Sequence, residues 1–309
     1  MISNKVAKRV LVVYYTQTGQ IKKITDSVLS VLISSGIEIE YAEIQPQPAF
    51  PFPWSYDQFF QAFPESVKGI HCEIIPIKTK YENYDLIVLA YQPWYLSPSI
   101  PIHSFLKSQE AGVLLKNKPV ITIIGCRNMW VMAQEKIKQY LHQHNARLVG
   151  NIVLYDKAPN LLSVVSIVRW LVKGKQEKYL GIVPPAGVSA EDIENASHFG
   201  VPIYEALESN NYEKLQGKLN SLDAVKIKPN LLMLEKNGSR IFAIWASLIL
   251  RQGSFGDPKR LKWVRAFKYY LFIVLFLISP VANLIYFLMR PFIYFRVRRN
   301  IRYYSQNEI

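Results

Sequence analysis

Short apolar runs alternate with longer helical patterns through the first half of the chain. Residues 19–34 and 129–144 carry apolar side chains at helical spacing, and residues 189–207 open with Ser189 as a helix cap and an acidic first turn. Alternation of strands with helices predicts an α/β protein with a doubly wound parallel sheet. Five runs predict its strands: residues 9–15, 37–43, 85–91, 119–125 and 148–154.

Two stretches do not fit a minimal α/β unit. Residues 50–64 contain seven aromatic side chains, and residues 160–173 are mostly apolar. Both follow the carboxyl ends of predicted strands, where open α/β sheets bind their ligands. We therefore expect two apolar insertions near a ligand site, within a sheet domain of residues 1–225.

The remaining residues, 226–309, predict a basic helical tail that associates with a membrane. The chain has a net charge of +14, but residues 226–309 alone hold 15 Lys and Arg against 3 Asp and Glu. Residues 269–289 form an apolar run without any charge, and basic residues flank it on both sides. This arrangement favours anionic lipid headgroups over nucleic acid, with a buried core helix as the alternative. Pro280 in the middle of the run predicts a bend, and thus a monotopic or re-entrant tail rather than a span.

The cysteine content and the amino-terminal residues indicate the compartment. Cys72 and Cys126 cannot form a disulfide framework, and the first residues lack the apolar core of a signal peptide. His142 and His144 would point to different faces of one helix, so no metal site is predicted. We expect the protein at the cytoplasmic face of the inner membrane.

The first predicted strand runs directly into a loop suited to a phosphate group. Backbone N–H groups at the start of the next helix and the hydroxyls of Thr16 and Thr18 are donors, and Gly19 permits a tight turn. A simple capped helix start is the alternative. The loop is neither a Walker loop nor a Gly-x-Gly-x-x-Gly motif, which disfavours ATP and NAD as the principal cofactor.

Two further loops follow the third and fourth predicted strands. In the first, Trp94 and Tyr95 are held between prolines and predict a flat wall for a ring-shaped ligand, with packing aromatics as the alternative. In the second, Arg127 is the candidate residue, and a surface ion pair at the helix start is the alternative to a functional role.

These loops resemble those of flavodoxin-like proteins. Residues 16–19 are similar to the Thr/Ser-x-Thr-Gly loop that holds the FMN phosphate, and residues 91–101 resemble the flavin-facing segment of NAD(P)H:quinone reductases. Ile21 departs from the family pattern, which commonly has a hydroxyl residue there. The resemblance implies a five-stranded parallel sheet in the order 2-1-3-4-5. It also implies FMN contacts from Thr16, Gln17, Thr18, Gly19, Gln20, Ile21, Gln92, Pro93, Trp94, Tyr95, Gly125, Cys126, Arg127 and Asn128.

The whole chain resembles a narrower family, the dialkylresorcinol-condensing enzymes or aromatases of flexirubin and aryl-polyene pathways. That resemblance implies oxidation of a dialkylcyclohexanedione to a dialkylresorcinol, with a ketosynthase as partner and NAD(P)H or a quinone as redox partner. Arg127 is the expected catalytic cation, and Tyr95, His103 and Asp156 remain open as the base. The alternatives are a membrane-tethered quinone reductase and a non-catalytic electron-transfer module.

Overall fold

The structure is a computed structural model that describes residues 7–306. Residues 1–6, on which part of the signal-peptide prediction rests, and residues 307–309 of the tail lie outside the described residues. The strands, in chain order, are β1 (Arg9–Tyr14), β2 (Glu38–Glu43), β3 (Pro46–Gln47), β4 (Glu73–Ile74), β5 (Leu86–Tyr91), β6 (Pro93–Trp94), β7 (Ser97–Pro98), β8 (Pro119–Cys126) and β9 (Arg147–Tyr155).

The helices cover both faces of the sheet and form the tail. They are α1 (Gln20–Ser34), α2 (Tyr56–Gln61), α3 (Phe63–Lys68), α4 (Ile100–Leu106), α5 (Gln109–Leu115), α6 (Val131–Gln143), α7 (Asn160–Lys173), α8 (Ala190–Asn195), α9 (Gly200–Ser209), α10 (Leu215–Ser221), α11 (Pro229–Leu250), α12 (Leu261–Ile273), α13 (Ser279–Met289) and α14 (Tyr294–Tyr304).

The five long strands form one parallel sheet in the order β2-β1-β5-β8-β9. Counted along the chain among these strands, the order is 2-1-3-4-5, the doubly wound flavodoxin-like arrangement. The predicted fold class is confirmed. The five predicted strands are also confirmed, and their ends differ from the observed ends by at most one residue.

The core consists of two apolar layers, one on each face of the sheet. Successive side chains of a strand point to opposite faces, so Val12 of β1 packs on the side of α1 while Leu11 packs on the side of α4 to α6. On α1, Ile24 and Val28 supply the apolar stripe that meets the sheet, as their helical spacing predicts. The central strands are therefore buried on both faces, which explains their nearly continuous apolar sequence.

Residues 189–207, predicted as one helix, form α8, a 3₁₀ turn and the main part of α9. Ser189 caps α8 as predicted, because its hydroxyl accepts a hydrogen bond from the backbone N–H of Asp192 at 3.1 Å. Gly200, at the start of α9, lies so close to α1 that a β-carbon there would sit 2.7 Å from the carbonyl oxygen of Val28. The glycine thus permits the close packing of α9 on α1.

The tail packs against α3, at the end of the first apolar insertion, through a buried ion pair. The fully buried Arg260 donates to both carboxylate oxygens of Glu65 on α3, at 2.6 and 2.8 Å, and to the carbonyl oxygen of Gln61 at 2.9 Å. Beside this pair the rings of Phe63 and Phe267 stack with centroids 3.6 Å apart. The start of the tail is therefore fixed to α3.

The apolar run of the tail lies in one long helix. Residues Pro258–Met289 form a continuous helix of 32 residues, which contains an 18-residue stretch with a mean hydropathy of 2.4. By length and composition alone, this helix could cross a membrane. It does not stop at Pro280, where the sequence predicts a bend. A π-helical segment, Val274–Ile278, ends two residues before the proline. Its wider turn accommodates the backbone hydrogen bond that is lost because proline has no N–H group.

The buried ion pair yields a stability prediction. We expect Arg260→Met to lower the free energy of unfolding by about 3–5 kcal/mol, because it leaves the Glu65 carboxylate buried and unpaired. Adding Glu65→Leu should restore most of the loss, since neither charge then remains. The measurement is urea denaturation of the full chain.

The matched control is Arg265→Met, which breaks the exposed ion pair with Asp57 at 2.8 Å and should change the unfolding midpoint little. Equal effects of Arg260→Met and Arg265→Met would contradict the structural importance of the buried pair.

Candidate functional site

A cavity of about 220 Å³ opens at the carboxyl ends of β1, β5 and β8, between these strand ends and helices α2 and α7. The three loops that the sequence singles out meet here. Because parallel strands end at the same edge of a sheet, loops far apart in sequence come together at this edge. The cavity is lined by Gln17, Thr18, Gln20, Ile21, Trp54, Phe59, Ala62, Gln92, Pro93, Trp94, Tyr95, Gly125, Cys126, Arg127, Ile167, Trp170, Leu171 and Gly187.

The loop after β1 has the features of an anion cradle. Gly19 is the cap residue of α1 and has a φ of 79°, in the left-handed region that favours glycine. No hydrogen bond within residues 7–306 uses the backbone N–H groups of Thr18, Gly19, Gln20 or Ile21. The Thr16 hydroxyl is buried and has no hydrogen-bond partner within the same residues. Free donors at the start of a 15-residue helix, beside an unsatisfied hydroxyl, fit a phosphate group.

Side chains of the neighbouring loops hold this cradle in place. Gln17 accepts a hydrogen bond from the Tyr15 hydroxyl at 2.5 Å and donates to the carbonyl oxygen of Pro51 at 2.7 Å. In the amide orientation that satisfies both of its groups, Gln92 donates to the Tyr15 carbonyl oxygen at 2.9 Å and accepts from the Gln17 N–H at 3.0 Å. The first loop, the second loop and the aromatic insertion are thus directly hydrogen-bonded.

The second loop is a tight hairpin between β6 and β7. Its two central residues, Tyr95 and Leu96, have φ values of 50° and 62°, which side chains larger than glycine adopt only with strain. Trp94 lies edge-on to Trp54, with ring centroids 5.4 Å apart, and lines the cavity. Trp94 therefore lines the cavity and also belongs to a packed aromatic cluster. Both interpretations of this loop, a wall for a ring-shaped ligand and packing aromatics, apply to it.

The third loop carries the cavity's cation. Arg127 donates to the carbonyl oxygen and to the side-chain oxygen of Asn160, at 3.2 and 2.7 Å, and Asn128 donates to the same side-chain oxygen at 2.7 Å. Burial lowers the pKa of Arg127 to about 10, although the nearby Asp156 opposes this shift. The guanidinium therefore remains charged at neutral pH and is oriented by the first residue of α7.

The candidate bases do not offer a free basic atom to the cavity. Tyr95 lines it, but its hydroxyl donates to the Phe59 carbonyl oxygen at 2.7 Å, and burial raises its pKa. Asp156 is buried away from the cavity and accepts hydrogen bonds from the Ser163 hydroxyl and the Ala158 N–H.

His103 requires a correction. It lies in the interior on α4, and its ring nitrogens are 3.1 Å from the Tyr140 hydroxyl and from the Ser66 carbonyl oxygen. Burial lowers its pKa to about 3. The structure therefore does not place it where a catalytic base would act, because α4 turns this side chain toward α3 and α6.

The structure brings eleven of the fourteen residues expected to contact a cofactor to the cavity wall. Thr16, Gly19 and Asn128 do not line the cavity: Thr16 and Gly19 belong to the loop after β1, and Asn128 donates to Asn160 beside Arg127. Cys126 lines the cavity as a thiol, since burial raises its pKa. Ile21 contributes an apolar surface where flavodoxins commonly have a hydroxyl.

Gly187 is a site residue that the sequence analysis missed. Gln20 accepts from the Val188 N–H and donates to its carbonyl oxygen, both at 3.1 Å, and so holds this segment against the cradle. Gly187 has a φ of 84°, and a β-carbon there would lie 2.7 Å from Gln20 Oε1 and 2.8 Å from Trp170. The sequence Pro-Pro-Ala-Gly before the Ser189 cap is the only local signal of this turn.

The two apolar insertions supply most of the other wall residues. Trp54, Phe59 and Ala62 come from residues 50–64, while Ile167, Trp170 and Leu171 come from α7. A hydrogen bond of 2.8 Å from the Trp54 N–H to the Leu171 carbonyl oxygen joins them. The two insertions therefore form one continuous apolar cover over the cavity.

A carboxylate from the tail supports the third loop from behind. Glu235 on α11 is almost fully buried, and one of its oxygens accepts from the Met132 N–H at 2.7 Å, at the start of α6. Desolvation raises its pKa to about 7, and the N–H groups of α6 oppose the shift. Among the described residues, no group of three His, Cys, Asp or Glu side chains could hold a metal ion.

Comparisons with known proteins give likenesses of fold. No family model and no curated protein matches the chain. A flavoprotein from Lactobacillus acidophilus in complex with FMN is 20% identical over 48% of this chain and 93% of its own, with a TM-score of 0.38. Oxidised flavodoxin 1 from Bacillus cereus is 13% identical over 63% of this chain and 95% of its own, with a TM-score of 0.35. A flavone reductase is 12% identical over 65% of this chain and 63% of its own, with a TM-score of 0.35. The similar structures are flavodoxin-like flavoproteins.

The Glu235 carboxyl predicts a pH dependence of stability. Its pKa is about 7 in the folded protein against an ordinary 4.5, so the folded state binds this proton more tightly than the unfolded chain does. The stabilisation is complete below the ordinary pKa and is lost as pH rises through about 7, with a total loss on the order of 3 kcal/mol. Glu235→Gln keeps an acceptor for Met132 and should flatten the dependence between pH 5 and pH 8 in urea denaturation.

The control is Glu213→Gln at an exposed position of the sheet domain, which should leave the wild-type pH profile unchanged. A Glu235→Gln profile as steep as that of the wild type would contradict the assignment.

Proposed function

We propose that this chain is an FMN-dependent oxidoreductase. The observation that carries the proposal is the cradle after β1, where the unpartnered Thr16 hydroxyl lies beside free N–H groups at the start of α1. This donor set matches a phosphate monoester and requires no cation. The adjoining cavity is walled by the aromatic residues Trp54, Trp94 and Trp170, as a flat ring system requires.

In this proposal, different residues around the cavity hold different parts of the cofactor. Thr16, Thr18 and the N–H groups of Gly19 and Gln20 would hold the phosphate, and the hairpin with Trp94 would border the ring. Bound FMN would supply a reversible acceptor for two electrons. Arg127, which Asn160 holds in the apolar cavity, would favour any negative charge that develops on the reduced ring.

The finer proposal concerns the substrate, an alkylated cyclohexane-1,3-dione that is oxidised to a dialkylresorcinol. The reaction removes two hydrogen atoms from the ring, one as a hydride equivalent to the flavin and one as a proton. NAD(P) or a quinone would then reoxidise the flavin, and a ketosynthase would supply the dione. Support comes from the sequence resemblance and from the apolar cover over the cavity, which suits alkyl chains.

The ionisable groups at the cavity favour a substrate that ionises by itself. Among the described residues that line it, Tyr95 and Cys126 have raised pKa values and Arg127 is a cation. A 1,3-dione forms an enolate readily in water, and a buried guanidinium stabilises such an anion. In this proposal Arg127 binds the enolate, and no side chain has to remove the proton that the dione loses when it forms the enolate.

The rival function is an electron-transfer module or a quinone reductase at the membrane. An electron carrier needs an exposed flavin edge, whereas α2 and α7 cover this cavity from two sides. A quinone reductase would use the same cover for an isoprenoid or alkyl tail. Whichever function is correct, the basic carboxyl-terminal tail of the protein, residues 226–309, would hold the protein at the cytoplasmic leaflet.

The cofactor proposal is tested at Gly19. We expect Gly19→Val to reduce FMN content by at least about tenfold, because the left-handed backbone is strained and the cradle closes. Thr16→Val should weaken FMN binding by about 1–2 kcal/mol through loss of one hydrogen bond. The measurements are the flavin absorption of purified protein and a fluorescence titration with FMN.

The matched control is Gly36→Val, because Gly36 has a nearly identical φ of 78° but lies at the other end of α1. Equal FMN binding by the Gly19→Val and Gly36→Val variants would refute the proposal that the loop after β1 binds the FMN phosphate.

The substrate proposal is tested by turnover of a 2,5-dialkylcyclohexane-1,3-dione with detergent-purified protein and a quinone or NAD(P) as acceptor. We expect a product lighter by two hydrogen atoms that is identified as the resorcinol. Arg127→Gln should lower kcat more than Arg127→Lys does, since lysine retains the charge. Reduction of quinones by NAD(P)H without any conversion of the dione would favour the rival.

A further inference from the structure

An exposed apolar surface runs along the tail. Only 11% of the most apolar window of the helix Pro258–Met289 is buried. Phe292, in the turn after it, is 82% exposed, and Phe295, at the start of α14, is 85% exposed. The exposed side chains of the long helix include Tyr269, Ile273, Leu277, Val281, Leu284, Ile285, Phe287 and Leu288. A soluble protein rarely exposes an apolar surface of this extent without a partner.

The helix cannot cross a bilayer while the fold is intact, because contacts with the rest of the protein hold its start, its apolar run and the segment that follows it. Its start is tied to α3 by the Arg260–Glu65 pair. Inside the apolar run, Asn283 accepts a hydrogen bond from Asn230 at the start of α11, at 3.0 Å. After the run, the Ser305 carbonyl oxygen accepts from Asn220 of α10 at 2.8 Å.

The segment after the apolar run is also too short to cross the bilayer back to the side of the sheet domain. Between Met289 and Ser305 the chain forms α14, whose 11 residues span about 16 Å, against a hydrocarbon core of about 30 Å. The residues before and after the apolar run therefore lie on the same side as the sheet domain.

The charge of this region complements an anionic surface. Arg296, Arg298 and Arg299 lie on α14, next to the exposed phenylalanines. None of these arginines has a carboxylate partner within residues 7–306. Arginines beside exposed aromatic rings are typical of helices that lie in the headgroup region of a membrane.

The exposed apolar surface extends to the cavity's cover. A groove of about 560 Å³ lies between α7 and the long helix, where Val165 and Val168 face Phe272 and Phe276. The opposite face of α7 carries Ile167, Trp170 and Leu171, which line the cavity. One helix thus separates the exposed apolar surface from the candidate site.

We propose that the protein docks in the plane of a single anionic leaflet, with the long helix, Phe292, Phe295 and the outer face of α7 all in contact with lipid. The groove beside α7 then opens to the acyl chains of that leaflet. A poorly soluble substrate reaches α7 without entering water. The docking is carried by the tail and α7, and its test does not depend on whether FMN is bound.

Vesicle binding tests the docking surface. Full-length protein is sedimented with vesicles of phosphatidylcholine alone or of phosphatidylcholine with phosphatidylglycerol. We expect stronger binding to the anionic vesicles, and a loss of about tenfold or more in the variant Arg296→Glu, Arg298→Glu, Arg299→Glu. The control variant Lys78→Glu, Lys80→Glu, Lys116→Glu makes the same charge change at exposed lysines of the sheet domain and should bind as the wild type does. Equal binding of both variants would overturn the proposal.

The participation of α7 is tested by Val165→Asp. This change should weaken binding to anionic vesicles several-fold, whereas Val113→Asp, at a still more exposed valine on α5, should not. Thermal unfolding of each variant shows whether the fold is kept. Full vesicle binding by a folded Val165→Asp variant would remove α7 from the docking surface.

Labelling distinguishes docking on one leaflet from spanning. Lys78→Cys and Arg298→Cys are each introduced with Cys72 and Cys126 replaced by serine, and reconstituted vesicles are treated with a membrane-impermeant maleimide. In vesicles that expose the sheet domain, we expect both cysteines to react equally before detergent is added. Reaction of Arg298→Cys only after detergent would establish a span and overturn the proposal.

Discussion

The short helix α3 is the constraint on which both the site and the tail depend, and its central element is the buried Arg260–Glu65 pair. Transfer of two charges out of water is offset only by close bidentate geometry and further hydrogen bonds, so this pair tolerates almost no displacement. The next residue, Ser66, donates to the carbonyl oxygens of Trp94 and Pro98, which holds the strained hairpin. The carbonyl oxygen of Val67 accepts from Lys136 on α6. Three successive residues of one helix thus connect the tail, the aromatic wall and the helix that follows the third loop.

Much of the fold was predictable because its signals are local. An apolar run of six or seven residues specifies a buried parallel strand, and a loop that leaves its carboxyl end must reach the edge where ligands bind. This reasoning brings the three loops to one edge of the sheet. The resemblance to flavodoxin-like proteins then implied Gln17, Gln92 and Arg127 as site residues, and all three line one cavity although 110 residues separate the first from the last. The same reasoning located both apolar insertions, since their composition is unsuited to water.

The failures concern features that only tertiary packing decides. Loop position suggested His103 and Asp156 as bases, but the rotation of a helix or the path of a loop determines whether a side chain faces a cavity or the core. Glu235 reaches the start of α6 from 103 residues away, and no local pattern indicates that contact. Gly187 matters because Trp170 and Gln20 crowd it, which is equally invisible in sequence.

The π-helical segment before Pro280 has a consequence for how the long helix meets its two environments. Before it, the inward residues follow helical spacing at Arg260, Val264 and Phe267. Continued without interruption, that spacing would turn Ile278 and Ile285 inward, but the buried residues are Ser279 and Tyr286. A wider turn with one additional residue accounts for this shift by one position. It advances the helical phase, so that Ser279 and Tyr286 face the protein and both isoleucines face outward. The outward stripe of apolar residues consequently continues along the helix in a single direction, which a regular α-helix of the same sequence would not achieve.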